Sequence, residues 1–127
     1  MFSIVKRNIL LFLTLFIFIA SDSYANELKI AENYLKNKKY QIALNIFSKL
    51  AAEGNPKAQI KLGVMYKLGQ GTTPNYIIAS KWFNIAVASG YQEGLGYKRI
   101  MESRMTREQV LQSRKLANDW LETRVLN

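Results

Sequence analysis

The chain has 127 residues, 49% of them apolar, a formal net charge of +9, and neither cysteine nor histidine. Its length fits one domain with its own core. Without cysteine there is no disulfide or thiolate nucleophile, and without histidine no imidazole zinc site or ordinary hydrolytic triad.

At the N-terminus, Lys6 and Arg7 precede the run Ile9 to Ala20, in which Thr14 is the single non-apolar member. The polar stretch Ser21-Asp22-Ser23-Tyr24-Ala25 follows, with small residues three and one positions before a cut. This order predicts a secretory signal peptide over residues 1–25, cleaved after Ala25, and a protein exported to the bacterial periplasm or secreted. The alternative is an uncleaved anchor, for which the run falls short of the roughly 20 apolar residues a span needs. Cleavage removes Lys6, Arg7 and Asp22, so 16 bases and 8 acids remain and the mature net charge is +8. The basicity belongs to the folded part.

Residues 26–127 read as one helical repeat domain. A shift of 36 residues superposes Tyr40 on Tyr76, Ile42 on Ile78, Ala43 on Ala79 and Phe47 on Phe83. It also superposes Ala52 on Ala88, Gly54 on Gly90 and Met65 on Met101, whereas the charged positions between do not match. Small, aromatic and glycine positions are those that packing and turns demand, so the repeat is structural.

In chain order, Leu28, Ala31, Tyr34 and Leu35 carry helical spacing. A second helix spans about Tyr40 to Ala52 with Ala43, Ile46, Phe47 and Leu50 inward, and Gly54 ends it with a left-handed cap. Asn55-Pro56 opens a third, with Asn as cap and Pro in the first turn, and Ala58, Leu62, Met65 and Tyr66 form its buried stripe. In the long turn Gly69 to Pro74, Thr73 is expected to cap and Pro74 to start the fourth helix. That helix runs to about Ser89 with Tyr76, Ala79, Phe83 and Ala86 inward, closed by Gly90. A weaker helix covers about Gln92 to Ser103, where Gly94 and Gly96 each cost roughly 1 kcal/mol of propensity relative to Ala. Thr106 and Gln109 form a capping box for the last helix, whose seam is Val110, Ala117, Trp120 and Leu121.

The segment Ala58 to Gly71, with Leu62-Gly63, Met65-Tyr66 and Gly69-Gln70-Gly71, resembles the first-helix and loop signature of the Sel-one-like repeat (SLR) family. Asn75 to Phe83, with Tyr76, Ala79 and Trp82-Phe83, followed by Ala86, Ala88 and Gly90, resembles its second-helix signature. Residues 27–53 are similar to a more tetratricopeptide-like unit, with Ala43 and Phe47 in matching places, and 54–89 to an SLR unit. Residues 90–104 are similar to a partial unit, in which Lys98-Arg99 stand where leucine-glycine is expected, and 105–124 to a closing helix. The resemblance implies an all-α fold, a short right-handed α-solenoid of antiparallel helix pairs with a C-terminal capping helix.

No catalytic residue, cofactor or metal site emerges. The mature acids form no pair set in an apolar segment, and Gly69-Gln70-Gly71 lacks the Gly-Lys-Ser/Thr and preceding strand of a phosphate loop. The resemblance implies a non-catalytic protein-interaction module of the cell envelope. Its concave groove would be lined by Leu28, Glu32, Leu35 and Lys36, then Lys57, Ile60, Val64, Lys67 and Leu68. A protein or peptide bearing acidic groups suits that lining; homodimerisation is open, and an exported chain has no nucleic-acid partner. Two alternatives are a cationic envelope-surface binder of anionic lipid or cell-wall polymer, and a hydrolase of β-lactamase type.

Overall fold

The structure, a computed structural model, describes residues 1–126. The described residues form six helices and no strand: α1 Phe2–Lys36, α2 Tyr40–Ala52, α3 Pro56–Leu68, α4 Tyr76–Ala88, α5 Gly94–Glu102 and α6 Arg107–Val125. Consecutive helices from α1 to α5 pack in chain order, and α6 lies on α4. This is an α-solenoid, in which neighbouring hairpins cover faces that no hairpin could bury alone.

The structure repeats with the 36-residue period. α2 and α4 are each 13 residues long and start at Tyr40 and Tyr76. Ala43 and Ala79, Phe47 and Phe83, and Met65 and Met101 are all 0% exposed. Gly54 and Gly90 both take the left-handed conformation, at φ 98° and 88°. One core cluster gathers Ala31, Phe47, Leu50, Leu62, Met65 and Trp82; a second joins Ile60, Ala79, Phe83, Ala86 and Met101. Tyr66 touches both.

Asn55 caps α3 through its side chain, which accepts from the Ala58 N–H, with Pro56 in the first turn. Thr106 and Gln109 make the reciprocal capping box of α6. At the C-terminal end of α6 the Arg124 guanidinium stacks 4.8 Å from the Trp120 ring and donates to the carbonyls of Ala52 and Glu53. Those are orphan acceptors at the end of α2, where a cation is favoured. Trp120 in turn meets Trp82 edge to face at 5.8 Å. The closing helix thus fastens to both α4 and α2.

Three local expectations are corrected. The fourth helix is capped by Asn75, whose side chain accepts from the Ile78 N–H, and begins at Tyr76. Thr73 and Pro74 stay in the turn, where Pro74 packs against Gly69 closely enough that a Cβ there would meet it at 2.8 Å. Tyr76 is 37% exposed and does not face inward, because it is the first residue of its helix and lies beyond the core. Gly94 is buried, and its missing side chain admits Val87 and Ile60, so it serves packing rather than merely weakening α5.

The apolar N-terminal segment is helical and continuous with the first helix of the stack. An 18-residue window of α1 has mean hydropathy 2.0 and is fully exposed, so by length and composition this helix can cross a membrane, a property that signal sequences share. The stack begins to hold α1 at Glu27, whose carboxylate accepts from Lys49 Nζ on α2 at 2.8 Å.

Candidate functional site

The sequence-predicted groove residues fall into three groups. Glu32 of α1 and Lys57 and Ile60 of α3 come together with Lys61, Tyr91 and Glu93 around a cleft of about 240 Å³. Leu28 and Leu35 are half-buried against the larger core cluster and Val64 against the smaller one, so packing takes their side chains. Lys36 is exposed on α1 and shares a surface depression with Glu32, Lys29 and Ile30; Lys67 and Leu68 sit at the far end of α3, with Leu68 exposed.

The cleft lies between α1, α3 and the turn that follows α4. Glu32 on α1 faces Lys61 on α3 at 3.6 Å, a solvent-exposed pair. Such a pair is worth about 0–1 kcal/mol, so it separates readily for an incoming charge. Ile60 lies four residues into α3 and is only 4% exposed, forming an apolar floor beneath the lysines. Past the end of α4, Gly90 turns the chain so that Tyr91 and Glu93 close the third side. The Glu93 carboxylate beside the Tyr91 hydroxyl raises the pKa of the phenol above the ordinary value. The lining therefore offers two ammonium groups, two carboxylates, one phenol and one buried aliphatic side chain. That set can hold a charged peptide segment.

Sequence reasoning did not reach Lys61, Tyr91 and Glu93. Lys61 was legible as a neighbour of Ile60 one residue along α3, but Tyr91 and Glu93 reach the cleft through the turn after α4, which carries no helical period. Among the described residues no group of three or more acidic, histidine or cysteine side chains could hold a metal ion.

The signature residues lie at the joints. Ala43, Phe47, Ala58, Leu62, Ala79, Trp82 and Phe83 are buried. Gly69 and Gly71 take left-handed conformations in the loop between α3 and α4. A Cβ on Gly71 would meet the Tyr40 carbonyl oxygen at 2.8 Å, so this loop packs on the start of α2.

No family model matches the chain, and no curated protein does. Among solved structures, a protective antigen present in uropathogenic Escherichia coli strains and displaying an SLR fold superposes with a TM-score of 0.73 at 27% identity. The superposition covers 78% of this chain and 22% of that one, so the chain spans about a fifth of its length. With the 36-residue period and the paired glycine caps already in place, this likeness fixes the architecture: the chain is a repeat protein with an SLR fold.

Proposed function

We propose that the chain is a non-catalytic interaction module of the bacterial envelope and that a protein or peptide docks across α1 and α3. The observation that carries this reading is the buried Ile60 floor under Lys57 and Lys61, flanked by the weakly paired Glu32. An aliphatic part of the partner would lie along the exposed hydrocarbon stems of Lys57 and Lys61 above Ile60, while an acidic group displaces Glu32 from Lys61. Binding then gains from apolar contact and from charge-assisted hydrogen bonds in one small area. The apolar, exposed first part of α1 supports export by way of a signal sequence. The similar structure being that of a protective antigen supports it too.

A Lys57→Glu/Lys61→Glu double variant tests the assignment. Partners crosslinked to the wild-type protein in intact envelopes are expected to be lost from this variant while its helical circular dichroism is retained. Equal recovery of the same partners from both proteins would remove the cleft from the reading. Raising ionic strength separates this mode from adhesion to anionic lipid or wall polymer. Adhesion resting on lysine and arginine alone collapses with salt, whereas docking with an apolar anchor persists.

A further inference from the structure

The third helical pair departs from the two before it. α5 is 9 residues long where α3 has 13, and α6 leans on α4. Between α5 and α6 this leaves a second cleft, of about 380 Å³, floored by Asn84 and Val87 of α4 and walled by Lys98, Arg114, Asn118 and Leu121.

Its charge is unbalanced. Thirty-six residues before Lys98 stands Leu62, a core side chain only 1% exposed. The period thus puts a lysine where the preceding unit has a buried leucine, and Lys98 is itself half-buried. No ion pair reaches it among the described residues. Arg114 is already matched: its Nε and Nη2 both donate to one oxygen of Glu102, at 3.1 and 3.0 Å. Asn84 is 9% exposed, and its amide nitrogen donates to Ser80 Oγ across a long 3.4 Å. One positive charge therefore stands over a buried amide and aliphatic walls with no counter-charge in place. Partly burying a cation is costly unless an anion or hydrogen-bond acceptors accompany it.

We infer that this cleft binds a carboxylate attached to a short aliphatic body, either a free organic acid or the C-terminus of a peptide. A carboxylate is a monoanion and cancels the single surplus charge at Lys98, whereas a phosphate dianion would overshoot it. The amide groups of Asn84 and Asn118 supply neutral donors, and Val87 and Leu121 receive the aliphatic part. The site is separate from the α1–α3 cleft and does not depend on how that cleft is used.

The test is a titration of the full-length ¹⁵N-labelled chain in a non-ionic detergent, following the side-chain amides of Asn84 and Asn118. The probes are butyrate, 1-butanol, and acetyl-Ala-Leu with a free or an amidated C-terminus. Saturable shifts with butyrate alone assign a small acid, and shifts with the free-carboxylate dipeptide assign a chain terminus; 1-butanol and the amidated peptide should leave both signals in place. Lys98→Leu restores the residue type of the preceding unit, so it should keep the fold and weaken carboxylate binding by about tenfold or more, the loss of one charge-assisted contact. Lys98→Met serves as a second variant, and Lys29→Leu, at an exposed lysine of α1 outside both clefts, should bind like wild type. Equal shifts with the uncharged probes, no saturable shift with either carboxylate, or undiminished binding by the folded Lys98 variants would overturn the assignment.

Discussion

A β-carbon built on Gly63 of α3 would lie 2.5 Å from Cε1 of Phe83 on α4. Phe83 is fully buried and stacks on Tyr97 with ring centroids 5.1 Å apart, so it has no free rotamer to retreat into. The close approach of α3 and α4, and with it the line that carries Ile60 toward the cleft, depends on that missing side chain.

Gly63→Ala should therefore destabilise the chain although alanine is the better helix former. Overpacking costs about 1–3 kcal/mol and outweighs the gain of roughly 1 kcal/mol in propensity. Gly96→Ala is the internal control. It lies in α5 with nothing within 4 Å of its would-be Cβ, so it should stabilise by about 0.5–1 kcal/mol. Urea denaturation of both variants checks the opposite signs, and two changes of like sign would contradict the packing argument.

Gln59→Met should stabilise the chain by about 0.5–1 kcal/mol. Gln59 is fully buried, its Oε1 has no hydrogen-bond partner, and its Nε2 donates to the Ala51 carbonyl at 3.2 Å. That carbonyl also accepts from the Gly54 N–H at 3.1 Å, so it stays satisfied after the change. Thermal unfolding decides the matter; a lower melting temperature would show that Gln59 contributes more than its orphan oxygen costs.

Lys81 sets a pH dependence of unusual sign. Burial lowers its pKa from the ordinary 10.5, with its ammonium 4.7 Å from the Trp82 ring. Between that lowered value and 10.5 the unfolded chain binds more protons than the folded one, so stability rises with pH through this window. Lys49 and Lys115 act oppositely. Hydrogen bonds to Glu27 and Asp119 raise their pKa, so their contribution is complete below 10.5 and is lost above it. Melting temperatures of wild type and Lys81→Met should converge as pH climbs toward 10.5, with the variant more stable at lower pH. A constant difference across that range would contradict the burial argument.

Much of the stack was legible because packing repeats. The period that superposes Phe47 on Phe83 and Met65 on Met101 marks side chains that the fold buries completely. Turn chemistry was legible at Asn55-Pro56 and Thr106–Gln109, where cap and helix start adjoin. It misled at Thr73-Pro74, because Asn75 one residue later caps equally well and leaves Pro74 free to pack on Gly69. The buried contact of Ser80 Oγ with Ser113 Oγ at 3.1 Å joins α4 to α6 across 33 residues, and no helical spacing announces it. The cleft was half legible. Glu32, Lys57 and Ile60 sit on helix faces that periodicity orders, whereas Tyr91 and Glu93 arrive from a turn whose path Gly90 sets.

The most direct measurement is site-specific photocrosslinking in living cells, with the crosslinking residue placed at Lys57 in the cleft or at Gln112, exposed on α6 and outside it. If α1 and α3 receive the partner, position 57 captures one discrete protein or peptide that position 112 does not. Identical adduct patterns from the two positions, or none from position 57, would mean that the exposed face of these helices is ordinary solvated surface.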